Sequence, residues 1–216
     1  MKNAKEKNIK CPKAISMAAF LNEIKSHCTE LLSKSRCNSL PFHNIAHTLE
    51  VYKKSEVIAN FEGLVKDDLE ALLIASLFHD TGYIATYAGH ECISATNAML
   101  YLKQLGYPDD KIERVVTCIN ATKIEHEPNS ILEKVICDAD LAHLGDDDFM
   151  EKNERLRLEW SNHLNVHYTD EEWYRLNIRF LKNHQFYTEY GKRFLQPLKQ
   201  KHLDYFEGKL GNLHQC

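Results

Sequence analysis

The sequence predicts an all-α fold, and three observations carry that expectation. Glycine and proline are scarce, 8 and 5 in 216 residues, whereas a β sandwich needs many turns. Strong helix formers dominate the composition. Apolar residues recur at helical spacing, as in the stripe of Ile15, Ala18, Phe20, Leu21, Ile24 and Leu31. A hydrophobic fraction of 44% is enough for a full core within one unit.

Taken in order, residues 1–12 form a charged, flexible lead-in. The first helix covers about 14–34, and Cys37-Asn38-Ser39-Leu40-Pro41 is a loop. A second helix starts near His43, runs to about Ala59 and stops at Phe61-Glu62-Gly63. Asp67 or Asp68 caps a third helix. It passes through Leu72-Leu73-Ile74-Ala75-Ser76-Leu77-Phe78 to His79 and is apolar enough to be buried. Residues 82–88 are a loop, and a fourth helix covers about 89–105, ending at Leu105-Gly106-Tyr107-Pro108. Asp109 or Asp110 caps a fifth helix to about Thr122. A sixth runs over about 131–143, and Gly145-Asp146-Asp147-Asp148 breaks it. Amphipathic helices then follow over about 147–164, 170–185 and 187–207, the second of them opened by Thr169-Asp170-Glu171-Glu172. No internal repeat or Pro/Ser-rich linker divides the chain, so one compact helical domain is expected.

Charge and cysteine usage narrow the function. A formal charge of −4 and a pI near 6.3 leave no basic surplus for a nucleic-acid polymer. Seven cysteines at 11, 28, 37, 92, 118, 137 and 216 form no CxxC. That pattern argues against a disulfide framework or a Cys-type zinc site and for a reducing, cytoplasmic setting. No signal peptide is evident, and the apolar stretch 71–78 is far too short to span a bilayer, so no membrane partner is expected.

The chemistry concentrates in four segments. His79-Asp80 closes the buried third helix, and burying either group alone is costly unless something pairs with it. A divalent metal is one such partner. His43 and His47 stand four residues apart, the spacing of one helix face. Gly89-His90-Glu91 opens the fourth helix. Asp138 and Asp140 are two apart, so on a regular helix one of them, not both, faces the site. Each feature also has an ordinary reading as a helix end, a cap or a solvated turn. Together they form a mixed N/O ligand set suited to Mn, Mg, Fe, Co, Ni or Zn, as one ion or two. Open positions would leave room for water and substrate, and the metal would lower the pKa of bound water and neutralise a phosphoryl group.

The ordered set His47, His79-Asp80, Asp140 resembles the signature of the HD superfamily of metal-dependent phosphohydrolases. The likeness covers roughly residues 40–145. Phe42-His43-Asn44-Ile45-Ala46-His47, Leu77-Phe78-His79-Asp80 and Ala121-Thr122-Lys123 resemble segments of the cyclic-nucleotide phosphodiesterases. Lys123 departs from the Asp of that branch, and Thr81-Gly82-Tyr83 departs from its continuation after His-Asp. Ile136–Gly145 and Arg179–Thr188 resemble a bacterial group of predicted HD phosphohydrolases more closely. The resemblance implies a single helical HD-type domain over 13–210, with helices over 147–208 packed on the signature region.

It further implies that His47, His79, Asp80 and Asp140 bind the first metal, with Asp138 as the alternative to Asp140 and Asp80 bridging to a second ion. His43 would donate a proton to the leaving oxygen, a role that suits a histidine. His90 and His126 would hold a second metal or contact phosphate, and Lys123 would offer positive charge to a phosphate or lie solvated. Tyr83 and Tyr87 would line a base or sugar pocket, or simply pack. The expected activity is hydrolysis of a phosphate ester of a nucleotide or another small molecule, in a chain that can form a homodimer. The alternatives are a di-iron oxygenase on the same fold and a metal-binding, non-catalytic module.

Overall fold

The computed structural model describes residues 16–213, so the N-terminal lead-in lies outside the described residues. Among these, nine α-helices are present and no strand. The helices are α1 (Met17–Ser33), α2 (Ile45–Phe61), α3 (Lys66–Phe78), α4 (His90–Gln104), α5 (Asp109–Ala121), α6 (Ile131–Asp140), α7 (Phe149–Leu164), α8 (Asp170–Asn183) and α9 (Gln196–Leu213).

The central element is α3. Every residue from Ala71 to Phe78 is buried, the expected state of a helix that is apolar all round. It packs against α1, α2, α4, α5 and α6, and α6 in turn packs against α2 and α5. A second apolar cluster joins Ala142, Leu144, Phe149, Leu181, Leu203 and Phe206, and Tyr190 packs against both clusters. Polar ties fasten the later helices to the earlier ones. Tyr190 N donates to Glu62 Oε1 at 2.9 Å, His202 Nδ1 lies 2.9 Å from Leu144 O, and Lys152 pairs with Glu50 at 2.9 Å. No helix among the described residues is long and apolar enough to cross a membrane. All five cysteines described are free.

Several boundaries differ from expectation. The side chain of Asn44 caps α2, so His43 stands before the helix rather than on its face. Asp67 and Asp68 do not cap α3, nor Asp109 and Asp110 α5. Val65 and Pro108 hold the cap positions, and the aspartates sit in the first turns, where the helix dipole favours them. Helix α6 ends at Asp140 and tightens into a 3-10 turn over Leu141–Gly145. Two further 3-10 turns, Arg36–Ser39 and Thr81–Ile84, fall in the first expected loop and at the start of the loop over 82–88, and a π turn over Gly191–Leu195 precedes α9.

Candidate metal centre

Four helix ends converge beside the core. The first turn of α2 supplies His47, the end of α3 supplies His79 and Asp80, the start of α4 supplies His90, and the end of α6 supplies Asp140. One ligand atom from each of His47, His79 and Asp80 lies within 4.8 Å of the other two. Asp140 Oδ1 is 3.2 Å from His47 Nε2 and 3.4 Å from His79 Nε2. Asp80 Oδ2 is 3.2 Å from His79 Nε2 and 3.4 Å from His47 Nε2, and its Oδ1 faces His90 Nε2 at 3.4 Å.

His47, His79 and Asp80 are buried, and His90 and Asp140 are half-buried. His79 has no exposed surface, and its Nδ1 is anchored 2.8 Å from Ser76 O, which leaves Nε2 aimed at the cluster. His79 Nε2 and Asp80 Oδ2 are buried without a hydrogen-bond partner. Such orphaned groups are rare and call for an explanation. Two carboxylates and three imidazoles, with one atom of His79 and one of Asp80 unsatisfied, fit a hard or borderline divalent cation.

The charge balance agrees. Burial works against a proton on His79, but Asp80 and Asp140 outweigh it and raise its pKa well above the ordinary histidine value. Burial works against ionisation of Asp80 and Asp140 too, yet the neighbouring histidines hold both carboxyls well below the usual range. His90 is raised against its burial, chiefly by Asp80. Carboxylates that draw protons onto imidazoles would draw a divalent cation in the same way.

Asp138 faces the other way. It is buried and accepts from Tyr187 N at 2.9 Å, Thr188 N at 2.8 Å and Thr188 Oγ1 at 2.6 Å, so it anchors the segment before α9. His126 Nε2 sits 2.9 Å from Glu133 Oε2, in the capping box of α6, and makes no hydrogen bond to the cluster. Lys123 Nζ lies 3.3 Å from Cys92 Sγ and likewise stands apart. His43 adjoins the cluster, its ring 5.7 Å from that of His47. Tyr83 is only 4% exposed and packs between side chains, while Tyr87 is half-buried.

Two further groups adjoin the cluster, and the first of them has no sequence signal. Glu159 of α7 has no exposed surface. It accepts from Phe42 N at 2.7 Å and His43 N at 2.9 Å with Oε2, and from Tyr87 OH at 2.6 Å with Oε1, which also lies 2.5 Å from His43 Nδ1. Burial opposes its charge, but these donors, His43 first, lower its pKa to about 2. Glu159 is 116 residues from His43, and nothing around it marks it out on an amphipathic helix. His143, on the 3-10 turn after α6, stacks edgewise on Phe42 at 5.1 Å and lies 6.4 Å from the His47 ring. Burial first, then His47, lowers its pKa to about 3.

The HD domain family model matches residues 44–144, the stretch that contains all five convergent side chains. Over that stretch the chain is similar to an HD domain. The HD domain marks a superfamily of metal-dependent phosphohydrolases, and the cluster above is where this one can hold a divalent ion. Among solved structures, the chain is similar to Bacillus subtilis YpgQ in complex with ADP, at 16% identity and a TM-score of 0.63, over 93% of this chain and 96% of that one. YpgQ in a second structure gives 15% and 0.64, over 92% and 97%. The Lin1889 protein from Listeria innocua gives 19% and 0.56, over 88% and 97%. These likenesses establish the shared fold beyond the signature region. No curated protein matches the sequence.

Proposed function

We infer that this HD-domain protein hydrolyses a phosphate ester of a nucleotide or a similar small molecule at the cluster of His47, His79, Asp80 and Asp140. The observation that carries the reading is the pair of orphaned buried ligand atoms, His79 Nε2 and Asp80 Oδ2, facing a second carboxylate and two further imidazoles. In it, His47, His79, Asp80 and Asp140 hold one divalent cation, and Asp80 with His90 offers a position for another. A bound cation supplies a water of lowered pKa and offsets charge on the phosphoryl group.

The chain's own residues supply the rest. His43 stands beside the cluster with Nδ1 fixed on Glu159, which leaves Nε2 for the leaving oxygen. Glu159 holds the orientation of the ring, as a general acid requires. The reading gives Lys123 and His126 no step. The nucleotide class takes support from the likeness in fold to a protein crystallised with ADP.

The test is metal content of protein purified without chelator, alongside turnover of a chromogenic phosphomonoester and phosphodiester with Mn²⁺. Bound metal with Mn²⁺-stimulated hydrolysis is expected. Stoichiometric iron with oxygen-dependent chemistry and no hydrolysis would replace the reading with the oxygenase. Absence of metal binding would overturn it.

A further inference from the structure

The ring of Tyr83 lies between two imidazoles. It stacks on His43 at 4.4 Å with 29° between planes and on His90 at 3.8 Å with 20°. Its backbone is pinned on three sides. Tyr83 N donates to Asp80 O at 3.1 Å, Tyr83 O accepts from Arg36 Nε at 2.6 Å, and the adjoining Gly82 N donates to Ser94 Oγ at 2.8 Å. The Tyr87 ring meets its side edge-on at 4.9 Å.

The consequence follows from how an imidazole is held. His43 has one firm in-plane partner, Glu159, with Tyr87 OH at a long 3.4 Å from the same nitrogen. The Nδ1 of His90 has Tyr87 O at 3.1 Å, and its Nε2 has only a long 3.4 Å contact to Asp80 Oδ1. A ring held by one hydrogen bond still pivots about that bond, which swings its other nitrogen out of line. A flat face pressed against the ring stops the pivot. Here one phenol does this for both rings at once.

We propose that Tyr83 is a positioning residue that fixes the planes of His43 and His90 together, so that one side chain aims both the proton donor and the ligand at the second metal position. The proposal rests on the phosphohydrolase reading for His43, and its metal half stands apart from it. Its phenol hydroxyl plays no part, so Tyr83→Phe retains the function and Tyr83→Met, which keeps bulk without a flat face, loses it.

The test compares Tyr83→Phe, Tyr83→Met, His43→Ala and the Tyr83→Met/His43→Ala double variant. Tyr83→Phe should match the wild type within about twofold. Tyr83→Met should lower kcat by about 10–100-fold at saturating Mn²⁺, the cost of a misplacement on the order of 1 Å, with KM nearly unchanged. It should also weaken Mn²⁺ binding in calorimetry by about tenfold, the usual effect of losing a group that orients a ligand. On the His43→Ala background the kcat loss should vanish, because a residue acting through His43 has nothing left to aim. Persistence of the loss in the double variant, or an equal loss in Tyr83→Phe, would overturn the proposal. A readout in the folded wild type needs no Tyr83 variant. The carbon-bound ring protons of His43 and His90, assigned by their loss in His43→Ala and His90→Ala, should be shifted upfield in NMR by the phenol ring. Unshifted resonances would refute the stack. If the wild type hydrolyses no phosphate ester, the phosphohydrolase reading fails, while the Mn²⁺ titration and the NMR shifts still decide whether Tyr83 orients His90.

Discussion

Replacing Glu159 with Gln removes a charge without removing volume, and the structure sets what should follow. The carboxylate serves two pairs of donors, Phe42 N and His43 N on one oxygen, His43 Nδ1 and Tyr87 OH on the other. An amide has one oxygen, so one pair must face an NH₂. With the amide oxygen turned to the backbone pair, the NH₂ faces Nδ1 of His43 and opposes the doubly protonated ring that a general acid needs. With the opposite orientation, two buried backbone donors lose their acceptor. Either way about 1–3 kcal/mol of stability should be lost, which for a chain of this size lowers Tm by about 2–4 °C per kcal/mol. Turnover should fall by about 10²–10⁴-fold, the usual contribution of a positioned acid, with metal content unchanged. The assay pairs a melting curve and metal analysis with Mn²⁺-supported hydrolysis. Turnover close to that of the wild type would refute the role given to Glu159. Loss of metal would show that α7 supports the ligands rather than the donor.

Other outcomes follow from the same geometry. His79→Ala and Asp80→Ala should each lose bound metal and activity while keeping a helical circular-dichroism spectrum, and full activity in either would sink the ligand assignment. His43→Ala should keep its metal and lose most turnover, so loss of metal would make His43 a ligand. Gly82→Ala should destabilise by about 1–3 kcal/mol or more, because a Cβ there would lie 1.9 Å from the His90 carbonyl oxygen. A Tm equal to that of the wild type would contradict the close approach. Burial lowers His143 and His184 to about 3, so between pH 6.5 and 3 the unfolded chain binds more protons than the folded one. Their contribution is therefore whole above about pH 6.5 and is lost as pH falls through that window. Glu159 acts in the same sense below its unfolded value of 4.5. His79 and His90 are raised and act in the opposite sense, contributing stability below pH 6.5 that is lost as pH rises. His184→Gln isolates one term. With chelator present, it should flatten the fall in urea midpoint between about pH 6.5 and 4.5, and an unchanged slope would refute a neutral, half-buried His184.

What the sequence alone determined about this protein is the helical class and most of the side chains that converge beside the core. The apolar run ending in His79-Asp80 announces both a buried helix and a polar pair at its edge, because α3 is buried from Ala71 to Phe78 and its end must find partners. His47, His90 and Asp140 are legible as helix-end groups for the same reason. Local patterns could not choose between Asp138 and Asp140. Both end one helix, and the choice depends on Tyr187 and Thr188 arriving some 50 positions later to satisfy Asp138. Nor could they place His126 and Lys123, whose neighbours draw them to Glu133 and Cys92. Glu159 and the stack of His43, Tyr83 and His90 belong wholly to the tertiary structure. A carboxylate on an ordinary amphipathic helix and a tyrosine in a short turn carry no periodic signal. Their meaning comes from the packing of α7 and the Thr81–Ile84 turn against the ends of α2 and α4.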